Sequence, residues 1–140
     1  MSDEAQPTAP PELSLDLDQL RRRVSRIDDR LFLLRQVSVQ TRFTVEVLFD
    51  RLEELSAGLD RFAYVVDLTQ AKRPDAPTRE LLKQRILGLN ERLAHVGLVV
   101  GSNAVMRALA KLVVFAGGVR SFSFHESIDD AAAACRRALL

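Results

Sequence analysis

The stretch Phe62-Ala63-Tyr64-Val65-Val66 decides the fold of this chain. It is an unbroken apolar run with aromatic and β-branched side chains, and Asp67 ends it, which is typical of a strand buried on both faces. Residues 96–100, Val-Gly-Leu-Val-Val, repeat the pattern. We therefore predict that the two segments are adjacent inner strands of one sheet, with the intervening helix laid across it.

Amphipathic helices are predicted between and after these strands. Apolar residues at steps of three and four from Val45 to Leu59 predict a first helix, with Thr44 as its N-cap and Gly58 at its end. A second helix begins at Asp75 and Pro77, and a last one runs from Ser127 through Leu139. A third follows residues 101–103, and the stripe predicted to face the core consists of Val105, Leu109, Leu112 and Ala116.

The amino-terminal part of the chain differs in composition from the rest. Residues 1–19 contain five acidic residues, no basic residue and a cluster of prolines, which predicts a disordered leader before a domain over residues 20–140. Residues 21–27 and 31–39 are predicted to pair as a hairpin around a turn at residues 28–30. The order ββαβαβαβα then predicts an α/β fold, with a mostly parallel mixed sheet, an antiparallel N-terminal hairpin and covering helices.

Composition limits the classes of partner and compartment. The chain has 140 residues, of which 47% are hydrophobic, so we expect one domain with a packed core. Its formal net charge of +1 favours neither nucleic acid nor an anionic membrane surface, and no apolar run approaches the roughly 20 residues that cross a bilayer. The single cysteine, Cys135, is predicted to lie in the core, and without a hydrophobic signal region we expect a cytoplasmic protein.

The chain resembles the STAS superfamily, the anti-sigma-factor antagonist fold, over residues 20–140. The strand order carries the likeness, together with Val66-Asp67-Leu68-Thr69 after the central strand and residues 124–131, Phe-His-Glu-Ser-Ile-Asp-Asp-Ala. The branch it is most similar to is the SpoIIAA-like, or STAS/SEC14, branch. This resemblance implies a bacterial, non-enzymatic regulatory module that binds another protein, such as a kinase or a regulatory factor.

The same branch is linked to lipid-transfer domains, which implies an alternative function. A small-molecule or lipid carrier needs an apolar cavity of roughly 300 Å³ or more. A tightly packed interior would exclude that alternative.

One motif of the family is altered in this chain. The resemblance implies an Asp-Ser-Ser-Gly motif before the second helix, whose second serine a partner kinase phosphorylates. Asp75-Ala76-Pro77-Thr78 stands there instead, so Asp75 matches while Ala76 and Pro77 carry no hydroxyl group. Phosphorylation at the usual position is chemically impossible, and Thr78 is the displaced hydroxyl that remains.

We predict a partner-binding surface where the parallel strands end, because open α/β sheets bind ligands at that edge. Its residues are Asp67, Thr69, Lys72, Arg73, Asp75, Thr78, Ser102 and Asn103. Two simpler interpretations stay open: Asp67 anchors its own loop, and residues 101–103 cap a helix instead of binding an anion.

No catalytic residues, cofactor or metal are predicted. His95 and His125 are expected at opposite ends of different strands, and no glycine-rich loop or nucleophile elbow is present. The arginines at positions 21–23 and Arg26 are interpreted as a contact for an acidic partner, as a contact for the acidic leader of the same chain, or as a solvated sheet edge. A homodimer is the expectation if one helix leaves a hydrophobic surface exposed.

Overall fold

A five-stranded sheet runs through residues 16–140, the part of the chain that the computed structural model describes. The elements in chain order are α1 (Leu17–Arg21), β1 (Val24–Asp28), β2 (Leu31–Arg35), α2 (Arg42–Leu55), β3 (Phe62–Asp67), α3 (Ala76–Leu87), β4 (Leu93–Val99), α4 (Ala104–Ala116), β5 (Phe122–His125) and α5 (Ile128–Ala138). The predicted order is confirmed, and the short helix α1 precedes it.

The spatial order of the strands follows the chain, from β1 to β5. Strand β1 is antiparallel to β2, and the remaining pairs are parallel. The two predicted inner strands are neighbours, with Ala63 opposite His95 and Val66 opposite Leu98. This confirms the α/β class and the mixed, mostly parallel sheet.

The helices form two unequal layers. Helices α2, α3 and α4 cover one face, where Phe32, Tyr64 and Val96 belong to the larger core cluster. Helix α5 alone packs on the opposite face, mainly against β3 and β4, in a smaller cluster that includes Val65 and Ala131. On this face α5 also covers Leu31 and Leu33 of β2, and no other described helix packs there, so β1 and the carboxyl end of β2 stay uncovered.

The boundaries of the first elements correct the prediction. Of the predicted leader, residues 1–15 lie outside the described residues, whereas residues 16–19 belong to the start of α1. Asp16 accepts a hydrogen bond from the Gln19 backbone N–H, the Gln19 side chain reaches back, and Leu20 is buried. Because this capping box starts a helix that includes residue 21, strand β1 begins at Val24 instead of residue 21. Strand β2 ends at residue 35 instead of 39.

Helix α2 begins one turn earlier than predicted. Its N-cap is Thr41, whose hydroxyl accepts from the Thr44 backbone N–H, while the Thr44 hydroxyl is paired with the Thr41 backbone N–H. Thr44 is therefore the third helical residue and not the cap. The other predicted caps, Asp75 and Ser127, are confirmed.

Helix α4 is rotated relative to the prediction. Met106, Ala110 and the neighbouring valines at 113 and 114 face the core, whereas Val105 and Leu112 are 64% and 57% exposed. The predicted stripe is therefore wrong. Both faces of this helix are apolar, so the spacing of apolar residues alone does not distinguish the inner face from the outer one.

Two further predictions concern the core and the membrane. Cys135 is fully buried, and its thiol lies 3.7 Å from the Tyr64 carbonyl oxygen. Burial raises the pKa of Cys135 to about 11, so the thiol is protonated at neutral pH, as expected of a core residue. Within residues 16–140, no helix combines the length and the apolar character needed to traverse a bilayer.

Candidate functional site

On the α5 face of the sheet, β1 and the carboxyl end of β2 border an open basin of about 520 Å³. The carboxyl ends of β2 and β3 reach it through Arg35 and Asp67, so it lies at the edge where parallel α/β sheets bind ligands. We call this site the arginine basin; it is lined by Gln19, Arg22, Arg23, Ser25, Leu33, Arg35, Gln36, Asp67 and Gln70.

Three arginines give the basin a positive charge. Arg23 is held in place by the backbone, because its guanidinium donates to the carbonyl oxygens of Arg35 and Gln36 at 3.4 and 3.3 Å. Arg22 and Arg35 are exposed, and neither has a carboxylate partner within the described part of the chain. Arginine binds anionic groups through two parallel hydrogen bonds, which is the chemistry that these two side chains offer to a ligand.

The other arginines of the predicted basic patch serve the fold. Arg21 pairs with Glu54 on α2 at 2.7 Å. Arg26 donates to the carbonyl oxygens of Asp29 and Leu55 at 2.9 and 3.0 Å. Arg21 lies on α1 and not on the sheet edge, and the contacts of Arg21 and Arg26 support the fold, whereas Arg22 has no carboxylate partner within residues 16–140.

Asp67 has a structural role at the rim of the basin. One carboxylate oxygen accepts from the Thr69 backbone N–H at 3.0 Å and from the Thr69 hydroxyl at 2.7 Å. This Asx turn fixes how the chain leaves β3. The interpretation of Asp67 as a loop anchor therefore fits the geometry, and the anchored side chain still lines the basin.

The remaining predicted site residues divide between caps and exposed loop. Asp75 and Asn103 accept from the backbone N–H groups of Thr78 and Met106 at 2.9 and 3.0 Å, which are ordinary N-caps. Lys72, Arg73 and Ser102 are exposed. The described lining of the basin includes only Asp67 from the predicted set, and the other residues surround this edge without converging on one point.

Thr78 is not accessible from solvent. Its side chain lies in the first turn of α3 and the residue is 6% exposed. Hydrogen bonds from Thr78 hold the pKa of Asp75 below its usual range. A kinase needs an exposed hydroxyl group, so the fold does not offer Thr78 as a replacement for the missing serine.

An apolar cavity lies on the other face, between α3 and α4. Its volume is about 60 Å³, and its lining includes Leu68, Leu82 and Met106. Gln36 is 4% exposed, and its Oε1 atom has no hydrogen-bond partner among the described residues. A cavity of this size holds about two water molecules, each of which occupies roughly 30 Å³.

The architecture has a counterpart among solved structures. The crystal structure of an uncharacterized DUF3478-family protein with a SpoIIAA-like fold, from Shewanella loihica PV-4, superimposes with a TM-score of 0.65. The likeness covers 80% of this chain and 90% of that protein at 17% sequence identity. The chain has a SpoIIAA-like fold. The sequence matches no protein-family model and no curated protein, so the likeness shows the fold alone.

This SpoIIAA-like domain contains a polar cluster that the sequence analysis missed. His95 lies near the start of β4 and His125 at the end of β5, and the Nε2 atoms of both lie within hydrogen-bond distance of the Ser123 hydroxyl between them, at 2.7 and 2.6 Å. His95 Nδ1 also lies 2.6 Å from the Ser121 hydroxyl. The expected placement is confirmed, and what the sequence did not indicate is the link through Ser123: β4 and β5 are adjacent and parallel, so alternate residues of both strands share one face.

Arg35 was missed for a similar reason. The arginines at positions 21–23 stand out in the sequence, whereas the second strand of the hairpin shows mainly an apolar run. Pairing of Val24 with Leu34 brings Arg35 beside Arg23, across the antiparallel ladder. The signal was the hairpin register, which follows from the turn at residues 28–30.

Proposed function

We propose that this chain is a non-enzymatic regulatory module that binds an acidic segment of another protein in the arginine basin. The supporting observation is the pair Arg22 and Arg35, two exposed guanidinium groups without a described carboxylate partner at the binding edge of the sheet. Arg23 is already ordered by backbone carbonyls and lies beside them. Acidic side chains are the protein groups that this arrangement complements.

The proposal differs from the phosphorylation-controlled version of the fold. Ala76 and Pro77 have no hydroxyl group, and Thr78 is buried. We therefore propose that binding depends on charge complementarity and not on phosphorylation of the α3 N-terminus. No nucleic acid or membrane partner is part of the proposal, because the formal net charge of the chain is only +1.

The carrier alternative, which the family resemblance implies, would need the apolar cavity between α3 and α4 as its binding site. Its volume of about 60 Å³ is several times smaller than the roughly 300 Å³ of a typical small-molecule site. The arginine basin is far larger and carries the charge that the cavity lacks. We therefore favour protein binding.

A charge-reversal experiment tests the proposed function. We expect a fluorescent glutamate-rich peptide to bind the full chain with an affinity that falls as salt is added, because exposed charges are screened. Arg22→Glu combined with Arg35→Glu should weaken binding by more than about tenfold, since hydrogen bonds to charged groups contribute about 1.5–3 kcal/mol each. The measurement is fluorescence anisotropy.

The matched control changes the same number of charges elsewhere. Lys111→Glu with Arg120→Glu alters two exposed residues near the opposite edge of the sheet. This variant should bind like the wild type. If both double variants lost the same peptide affinity, the loss would be explained by the overall charge of the chain. That result would contradict a binding site in the basin. A partner that co-purifies equally with the wild type and the basin variant would contradict it too.

A further inference from the structure

Ser121, His95, Ser123 and His125 form a continuous chain of hydrogen bonds on the α5 face of the sheet. Ser121 Oγ lies 2.6 Å from His95 Nδ1, His95 Nε2 lies 2.7 Å from Ser123 Oγ, and Ser123 Oγ lies 2.6 Å from His125 Nε2. These distances are at the short end of the range for protein hydrogen bonds. Ser123 and His125 are half-buried on the edge strand β5, and His95 is 8% exposed.

The hydrogen bonds in this series all point either from Ser121 towards His125 or from His125 towards Ser121. A serine hydroxyl has one proton, and a neutral imidazole has one N–H and one acceptor nitrogen. Ser123 therefore donates to one of the two histidines and accepts from the other. In both directions the Ser123 proton is directed at an acceptor nitrogen, while the second imidazole holds the same oxygen in place.

His95 is suited to remain a neutral base. Burial lowers its pKa below the ordinary value, and the nearby charges of His125 on β5 and Arg137 on α5 act in the same direction. A neutral imidazole with a second nitrogen hydrogen-bonded to a neighbour is the arrangement that activates a serine in nucleophilic sites. The Ser121 hydroxyl fills that orienting position for His95.

We propose that Ser123 is an activated nucleophile that accepts an acyl group from an activated ester. Its Oγ atom attacks the carbonyl carbon, and its proton passes to the histidine that accepts its hydrogen bond. The bond between the carbonyl carbon and the leaving-group oxygen breaks, the leaving group departs with the proton, and Ser123 retains the acyl group as an ester. The inference concerns one covalent modification of the chain and does not depend on the arginine basin.

The test uses p-nitrophenyl acetate and the full chain. We expect release of nitrophenolate together with one acetyl group per chain, and peptide mass spectrometry should locate that group on Ser123. The rate should rise with pH as the His95 imidazole, whose pKa is lowered by burial, loses its proton, and it should then level off. His95→Gln combined with His125→Gln should slow acylation about 10²-fold or more, the usual contribution of a general base.

The controls separate a reactive serine from a structural one. Ser38→Ala removes another half-buried serine and should leave the rate unchanged, whereas Ser123→Ala should abolish the mapped modification. Mapping on the wild-type chain needs no variant to fold, so it decides the question by itself. Absence of an acetyl group on Ser123, acetylation there no faster than at Ser38, or a rate unaffected by the double histidine variant would each overturn the proposal.

Discussion

Gly97 is a point of close approach between β4 and α5. A Cβ atom at this position would lie 3.0 Å from the Ala131 Cβ and 3.1 Å from the Ala131 carbonyl oxygen. Because one of these contacts is with backbone, the neighbour does not yield by a simple side-chain rotation. Gly97→Ala should lower the free energy of unfolding by about 1–3 kcal/mol, as overpacking of a core does. Urea denaturation followed by circular dichroism measures it.

Gly88→Ala is the matched control, with the opposite expected sign. Gly88 follows α3 in a right-handed helical conformation, with φ −65°, and an added Cβ would meet nothing closer than 3.5 Å. This substitution should stabilise the chain by about 0.4–1 kcal/mol, because alanine restricts the unfolded state more than glycine does. If Gly97→Ala proved as stable as Gly88→Ala, the close packing of α5 on the sheet would be contradicted.

The burial or role of a single residue was more predictable than its contacts with residues distant along the chain. The sequence alone indicated that Cys135 is buried and that Asp67 either anchors a loop or lines a site. It did not bring His95 to Ser123, because that contact depends on which strands are adjacent and on their register. Side chains distant along the chain meet only after the sheet order is known.

At the level of elements, the Asp75 cap makes the stability of α3 depend on pH. Hydrogen bonds from Thr78 hold the pKa of Asp75 below its usual range, so the folded state favours the carboxylate. The stabilisation is therefore complete above the unfolded-state pKa of about 3.9 and is lost as pH falls through the folded-state value. Asp75→Ala should lower Tm at pH 7, and the deficit should shrink in acid.

Asp75→Asn is the control for this effect. Asparagine is also a good N-cap but does not titrate in this range, so its Tm difference from Asp75→Ala should persist at low pH. Thermal denaturation of the three proteins across the acid range measures these differences. A deficit of Asp75→Ala that stayed constant down to the most acidic pH would show that the carboxylate charge is not involved.

Helix α4 is an element whose position in the sequence was predicted and whose orientation was not. Its existence followed from the apolar spacing and the turn before it, yet its rotation did not. Thirteen residues with apolar side chains on both faces satisfy two opposite orientations, and contact with α3 and the sheet selects one. Thr41 and Thr44 show the same limit, because either threonine suits an N-cap until the preceding loop is placed.

Over the whole molecule, the chain order of the elements and the adjacency of β3 and β4 were the most predictable properties. Buried strands that alternate with single helices leave few topologies when crossovers are right-handed, and the hairpin adds one antiparallel pair. The arginine basin was less predictable, because it depends on what α5 leaves uncovered. Helix α5 lies over β3 and β4, and its length and lateral position decide which part of β1 and β2 it leaves exposed. Sequence patterns do not predict that lateral position.

The outward face of α4 leads to a prediction about assembly. Val105, Leu112 and Phe115 are 64%, 57% and 73% exposed, and with Ala108 they recur at steps of three, four and three, the spacing of a helix-pairing seam. Contiguous exposed apolar surface of this kind usually marks an interaction site, and a second copy in two-fold symmetry is the commonest occupant. We therefore expect the wild-type chain to be a dimer in light scattering coupled to gel filtration.

Leu112→Glu with Phe115→Glu should convert this dimer to a monomer, because the seam would then bury like charges. Phe43→Glu alters an exposed aromatic residue on α2, at 58% exposure, and should leave the dimer intact. A wild-type chain that stays monomeric at all concentrations would contradict the seam. Since α4 and the arginine basin lie on opposite faces of the sheet, dimerisation through α4 leaves both basins open, and a dimer should bind two acidic segments independently.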